Sequence, residues 1–214
     1  MLIVLTGIDG SGKTTAAEAT VEAARQAGKS ALLLRNYAGR RRMSLLSARL
    51  GRQLPARAAD FIETAVRTFN VLNSHRRARK FDGLVVMDRH LYCQLALRGS
   101  YGLARGRFLP WLIRRLPRPD LVIYLDIDPQ EAHERILARG TDSELLEDLV
   151  SLRDAYRSLP EYSGFTHINA GGSPDEVLFR VQAAIATAGG LHPECCPAGP
   201  AAAGPAPSGA GPKT

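Results

Sequence analysis

The sequence predicts an α/β fold in which a five-stranded parallel sheet is flanked by helices on both faces, a three-layer sandwich. Three observations predict it. Short apolar runs alternate with longer helical stretches from residue 2 to residue 188. The runs are continuously apolar, the pattern of strands buried on both faces. The first of them leads straight into a glycine-rich loop that opens a helix.

Leu2-Ile3-Val4-Leu5 is the first strand, and Thr14 to Ala27, rich in Ala and Glu without Gly or Pro, is the helix behind the loop. Gly28 stops that helix, and the second strand follows within Ser30 to Leu34. Arg35 to Arg42 is a loop and Ser44 to Arg52 a short helix. Pro55 opens a long helix through about Lys80, with Phe61, Ala65, Phe69 and Leu72 spaced for one apolar face. Leu84-Val85-Val86-Met87 is the third strand. Helices are expected over Asp88 to Gly99 and Arg107 to Leu116, the second packing through Phe108, Trp111, Leu112 and Leu116. Leu121 to Leu125 is the fourth strand, and Pro129 opens a helix that runs to Arg139. A helix over Glu144 to Leu159 and a fifth strand over Thr166 to Asn169 come next. Ser173 caps the last helix, which ends at Ala188, and Glu176 completes a capping box.

The chain of 214 residues is 45% hydrophobic and 23% charged, as in an ordinary globular protein. It divides into a domain over 1–188 and a tail over 189–214, whose Gly, Pro, Ala and Ser cannot bury enough apolar surface to order it. Three cysteines, two of them adjacent at Cys195 and Cys196, make neither a disulfide framework nor a metal spacing. The five histidines show no metal spacing either. No stretch approaches the ~20 apolar residues of a membrane span, so no membrane partner is expected and a cytoplasmic setting is. The net charge of +7 is concentrated between Arg35 and Lys80, where twelve Lys or Arg face only Asp60 and Glu63. No regular aromatic-interleaved pattern accompanies them, so a small polyanion is a better partner than nucleic acid.

Gly7-Ile8-Asp9-Gly10-Ser11-Gly12-Lys13-Thr14-Thr15 fits G-x-x-x-x-G-K-[ST], a phosphate-binding loop. Gly7, Gly10 and Gly12 let the backbone turn its N–H groups inward around phosphates, with Ser11 and Thr15 in the same cradle, and the helix N-terminus adds a positive dipole end. Lys13 reaches the β and γ phosphates and the Thr14 hydroxyl ligates magnesium. ATP and Mg2+ are therefore the expected cofactors. Asp88-Arg89-His90 follows the third strand, where ligands gather in open α/β sheets. Asp88 is a metal-side carboxylate or, on the plainer reading, the cap of the next helix.

With the loop, Asp88-Arg89-His90 and Pro119-Asp120-Leu121-Val122-Ile123-Tyr124-Leu125-Asp126 in order, the chain resembles the thymidylate kinases over about Met1 to Ala188. Ala132, Arg135, Arg139 and Gly140 resemble the approach to that family's lid, and Arg153 with Tyr156 its Arg-x-x-Tyr. The resemblance implies a P-loop NTPase fold with a lid region. It implies transfer of the ATP γ-phosphoryl to a nucleoside monophosphate, most readily dTMP. Asp9 then lies near the acceptor's sugar, Arg89 on the acceptor phosphate with Asp88 beside it, and Arg135 and Arg139 close over the donor phosphates. Since the loop holds no arginine, Arg139 is the candidate catalytic one. Phe69 matches a base-stacking residue, with Asn73 where an arginine reads the base. Arg40 is the candidate phosphate contact after the second strand, Gln94 a base contact, and Tyr156 lines the substrate site. Arg98 stands where many members have Gln. A homodimer is implied as well.

Apart from the family, four arginines (35, 40, 41, 42) and no carboxylate before Asp60 follow the second strand. An anionic acceptor needs such charges to offset phosphate repulsion, whereas a hydroxyl acceptor needs a base. The rival readings are a deoxynucleoside or other small-molecule kinase of the same fold, and a non-catalytic nucleotide-binding protein.

Overall fold

The computed structural model describes residues 1–37, 56–140 and 144–189. Strands β1 (Leu2–Thr6), β2 (Ala31–Arg35), β3 (Leu84–Asp88), β4 (Leu121–Asp126) and β5 (Thr166–Asn169) form one sheet. The order is β2-β3-β1-β4-β5, and every pairing is parallel. The helices among the described residues are α1 (Lys13–Gln26), α2 (Ala56–Ala78), α3 (Leu91–Ser100), α4 (Phe108–Arg115), α5 (Pro129–Arg139), α6 (Leu146–Arg157) and α7 (Pro174–Ala188). The expected five-stranded parallel sheet flanked by helices is therefore the fold.

Alternation along each strand splits the core between the two faces. Ile3 and Leu5 of β1 join Val86, Ile123 and Leu125 in a large cluster, closed by Ala17 and Val21 of α1, Leu95 of α3, Ile136 of α5 and Val181 of α7. Val4 points the other way, into a smaller cluster with Leu34, Val85 and Met87. Register brings the strand ends together: Leu5 and Arg35 both pair with Asp88, and Thr6 pairs with Tyr124. The loop after central β1 thus emerges between the ends of β3 and β4.

The capping box at Ser173 and Glu176 forms, and Pro129 opens α5 behind an Asp128 side-chain cap. Three expectations change. Asp88 is the last residue of β3 rather than a helix cap, and α3 begins only at Leu91 behind His90. The face of α2 set by Phe61, Ala65, Phe69 and Leu72 is not the buried one: Phe61 is 73% and Phe69 69% exposed, while Glu63, Arg67, Val71, Ser74 and His75 are buried. That inner face looks onto polar groups at the end of the sheet, so hydrophobicity marks the wrong side. On α4, Leu109 and Leu112 face inward, whereas Phe108 and Trp111 stack on each other at the surface with centroids 6.3 Å apart. No helix among the described residues is long and apolar enough to cross a membrane. The expected short helix over 44–52, Arg40, and the tail beyond Gly189 lie outside the described residues.

Candidate active site

The glycine-rich loop adopts a backbone that only glycine sustains cheaply, with φ of +143° at Gly7, +83° at Gly10 and +80° at Gly12. A Cβ on Gly10 would lie 2.5 Å from the Ala132 carbonyl oxygen, so the loop is wedged against α5. Helix α1 begins at Lys13, which leaves the N–H groups of its first turn without helical partners and aimed into the loop. Ser11 is buried and Thr15 exposed. Lys13 is almost wholly buried. Its ammonium donates to the Ile8 carbonyl at 2.5 Å and to Ser11 Oγ at 3.3 Å, and lies 3.5 Å from Asp9. Burial, then the nearby Arg89, lowers its pKa, against the pull of Asp9 and Asp88.

Thr14 Oγ1 donates to Asp88 Oδ2 at 2.7 Å. Asp88 is fully buried, and its other oxygen, Oδ1, has no hydrogen-bond partner. A buried carboxylate oxygen without a partner is costly unless something is to fill the place. The hydroxyl and the carboxylate are both hard oxygen donors, and together they fit a magnesium ion.

One residue on, the backbone reverses. Arg89 has φ of +73°, the single non-glycine residue with positive φ among those described. The turn sends its guanidinium to Asp9, with which it forms an ion pair. Burial alone would raise the Asp9 pKa, but Arg89 and Lys13 hold the carboxyl well below the usual carboxylate range. Asp9 in turn outweighs the burial of Arg89 and keeps it charged. Asp9, Lys13, Thr14, Asp88 and Arg89 are thus one constellation, as their sequence positions imply. His90 is buried against His75, Nε2 to Nε2 3.2 Å.

Beside Arg89, helices α2 and α3 supply a polar pair of which the sequence pointed to Gln94 but not to Arg67. Arg67 is 5% exposed, its Nε donates to Gln94 Oε1 at 3.0 Å, and its Nη1 has no partner. Gln94, fully buried, also donates to Asp60 at 3.3 Å, and Arg98 closes on Asp60 at 3.0 Å. A cavity of about 320 Å3 lined by Asp60, Glu63, Leu97 and Tyr101 adjoins this group. Gln94, the base contact the resemblance implies, is buried in this group, whereas Phe69 and Asn73 are on the exposed side of α2, about 200° around the helix from Arg67 in the case of Phe69. The signal for Arg67 was available in the row Glu63, Arg67, Val71, Ser74, a second stripe at helical spacing that is polar and therefore escapes a search for apolar faces.

The far side of the loop departs further. Arg135 donates to the carbonyls of Ala170 at 3.0 Å and Gly172 at 2.9 Å and pairs with Glu131 at 2.6 Å, so it ties α5 to the loop after β5 instead of standing free over the phosphates. Arg139 is exposed at the end of α5, its Nε on the Arg135 carbonyl at 3.3 Å. Arg153 pairs with Asp126 at 2.9 Å. Tyr156 is 1% exposed, its hydroxyl accepting from Thr6 Oγ1 at 3.0 Å and its ring tilted against that of Tyr124, centroids 5.2 Å apart. It is a core tyrosine under the loop, not an open contact surface. Burial raises its pKa well above the ordinary phenol value, and the Cys93 thiol beside it adds to the shift.

A family model described as thymidylate kinase matches residues 5–180, which include the loop, the Asp88-Arg89 turn, Arg67, Gln94 and Tyr156. A probable thymidylate kinase of Pyrococcus abyssi is 35% identical over 189 residues, covering 82% of this chain and 90% of its own. One from Pyrococcus horikoshii is 34% identical, covering 86% and 94%. A thymidylate kinase of Xanthomonas campestris is 29% identical, covering 88% and 84%. The family model spans most of the chain and these relatives are covered over most of their length, and the chain belongs to the thymidylate kinase family.

Proposed function

We propose that this protein transfers the γ-phosphoryl of ATP to a thymine nucleoside monophosphate, dTMP, giving dTDP. The observation that carries the choice of base is the Arg67–Gln94 pair. Arg67 Nη1 is a buried donor without a partner, and Gln94 Oε1 keeps a lone pair beside it. A donor next to an acceptor matches the O4 and N3–H edge of thymine, and a site whose buried polar groups are completed only by the right base rejects others strongly. The names of the relatives support the same acceptor.

The residues divide the work. The loop N–H groups and Lys13 hold the ATP phosphates. Lys13 would leave its present partners, the Ile8 carbonyl and Ser11, for phosphate oxygens. Thr14 and Asp88 would hold magnesium, which when bound draws charge from the transferring phosphoryl group. Arg89 binds the acceptor phosphate, its guanidinium held charged by Asp9, and Asp9 stands beside the acceptor's sugar. Arg139 at the end of α5 would leave the Arg135 carbonyl to reach the transferring group, while Arg135 keeps the loop after β5 in place. An acceptor that is already anionic needs no general base, so positioning and charge neutralisation carry the rate.

We propose further a homodimer through α2. Its exposed side presents Phe61, Ile62, Val66 and Phe69 as one apolar strip. Cytoplasmic work on free nucleotides, with residues 1–188 as the catalytic domain, completes the reading.

The test is ADP release with ATP and magnesium across dTMP, dUMP, dCMP, AMP and GMP, with thymidine alongside. Turnover highest on dTMP is expected. A maximum on a purine or cytosine nucleotide would overturn the base assignment, turnover on thymidine alone would overturn the acceptor, and binding of ATP without any turnover would overturn the enzyme.

A further inference from the structure

The left-handed Arg89 is held from outside by a buried strap. Asn36, fully buried just beyond β2, donates from Nδ2 to the Arg89 carbonyl at 2.7 Å and from its backbone N–H to the Asp88 carbonyl at 3.0 Å. Its Oδ1 accepts from Ser74 Oγ on α2 at 2.7 Å, and Ser74 is 5% exposed. One helical turn earlier, Asn70 Nδ2 donates to the Tyr37 carbonyl at 2.8 Å. Residues 36 and 37 are therefore clipped to α2 at two points, and Asn36 passes that hold to Arg89.

We infer that Asn36, itself oriented by Ser74, is a positioning residue for Arg89. A non-glycine residue stays left-handed only where its surroundings fix both flanking peptides. The peptide before Arg89 is fixed by its N–H on the Leu5 carbonyl at 3.0 Å, a bond within the sheet. The peptide after it is fixed by Asn36. Without that donor the Arg89–His90 peptide is free to rotate toward an ordinary conformation, and the guanidinium swings away from Asp9. The orientation of Asn36 follows from its neighbours: the Arg89 carbonyl requires the amide nitrogen, and the Ser74 hydroxyl supplies a proton to the amide oxygen. Because Arg67 lies on the same helix as Ser74, two turns away, the strap joins the base-reading side chain to the acceptor-phosphate arginine through one rigid element.

The inference rests on the reading of Arg89 as the acceptor-phosphate contact, so that residue is its own arm of the test. Steady-state kinetics compares Asn36→Ala, Ser74→Ala, Ser74→Thr, Arg89→Ala and the double variant Asn36→Ala/Arg89→Ala. Asn36→Ala is expected to raise the dTMP KM about tenfold and lower kcat about tenfold, with the ATP KM within about twofold of the parent. Ser74→Ala gives a smaller change in the same direction, and Ser74→Thr, which keeps the hydroxyl, restores activity. In the Arg89→Ala background the Asn36 substitution costs nothing further in acceptor kinetics, since there is no guanidinium left to place. Additive losses, or an ATP KM that moves with the dTMP KM, would overturn the positioning role. Should Asn36→Ala not fold, the Ser74 pair and Ser74→Ala/Arg89→Ala decide the same question. If Arg89→Ala leaves the dTMP KM unchanged, the Arg89 assignment itself is wrong, which is a different failure.

Discussion

The Thr14 hydroxyl donates to one oxygen of Asp88 at 2.7 Å, and the other oxygen of that buried carboxylate has no partner. On the proposed function the pair is half of a cation site. Asp88→Asn keeps the shape and removes the charge. Turnover should fall about a hundredfold and half-saturating magnesium rise about tenfold, with Thr14→Ala showing a smaller version of both. A magnesium titration at saturating substrates reads this, and unchanged magnesium dependence in both variants would remove Asp88 and Thr14 from the metal site.

Arg67 and Phe69 lie two residues apart on α2 and face opposite ways. Arg67→Met should raise the dTMP KM by about ten- to a hundredfold while the ATP KM stays within about twofold. Phe69→Ala should leave the dTMP KM unchanged in the same assay. The reverse outcome would restore Phe69 as the base contact.

The His75 and His90 rings meet edge-on in the interior, 5.4 Å between centroids. Burial, with Arg79 nearby, pushes His75 down to about 4; burial, with His75 beside it, pushes His90 down to about 3. Both depressed values lie below the unfolded value of about 6.5, so between about pH 4 and 6.5 the unfolded chain binds the extra protons. Stability is therefore full above pH 6.5 and falls as the pH drops, by up to about 2 kcal/mol per histidine at pH 5. Urea unfolding at pH 5.0 and 7.5 should show that slope, and His75→Phe should roughly halve it. The Asp9 carboxyl, held low by Arg89 and Lys13 against burial, contributes stability that is lost only below this window.

If α2 carries the contact between two copies, Phe61→Asp together with Phe69→Asp should convert a dimer to a monomer in sedimentation velocity. Secondary structure by circular dichroism should not change, because neither ring is part of the core. A parent protein that sediments as a monomer would refute the interface outright.

What could be read from the sequence follows the kind of force involved. Continuous apolar runs located the first four strands because both faces of a parallel sheet are dry, whereas the edge strand Thr166–Asn169 carries no such run. Gly7, Gly10 and Gly12 were legible because positive φ leaves glycine as the economical choice. Asp88 and Arg89 were legible because they follow a strand directly. The inner face of α2 was not, since it is buried by hydrogen bonds and charges: Arg67 to Gln94, Ser74 to Asn36, His75 to His90. Hydrophobic spacing ranks such a face as solvent-exposed and promotes Phe61 and Phe69 in its place. Tyr156 and Arg135 were placed in the right neighbourhood, but nothing in their spacing told that one would be sealed under Thr6 and the other spent on the carbonyls of Ala170 and Gly172.

Asp88 and Arg89 are consecutive, and the left-handed turn between strand and helix aims one at Thr14 and the other at Asp9. On the proposed roles, the metal side and the acceptor side of the site are thus a single peptide step apart, about 3.8 Å between Cα atoms. A covalent length does not drift when helices shift, cores are repacked or sequences diverge, as the gap between two packed elements does. Substitutions at Arg67 or Gln94 that leave Asn36 and Ser74 in place leave that length unchanged.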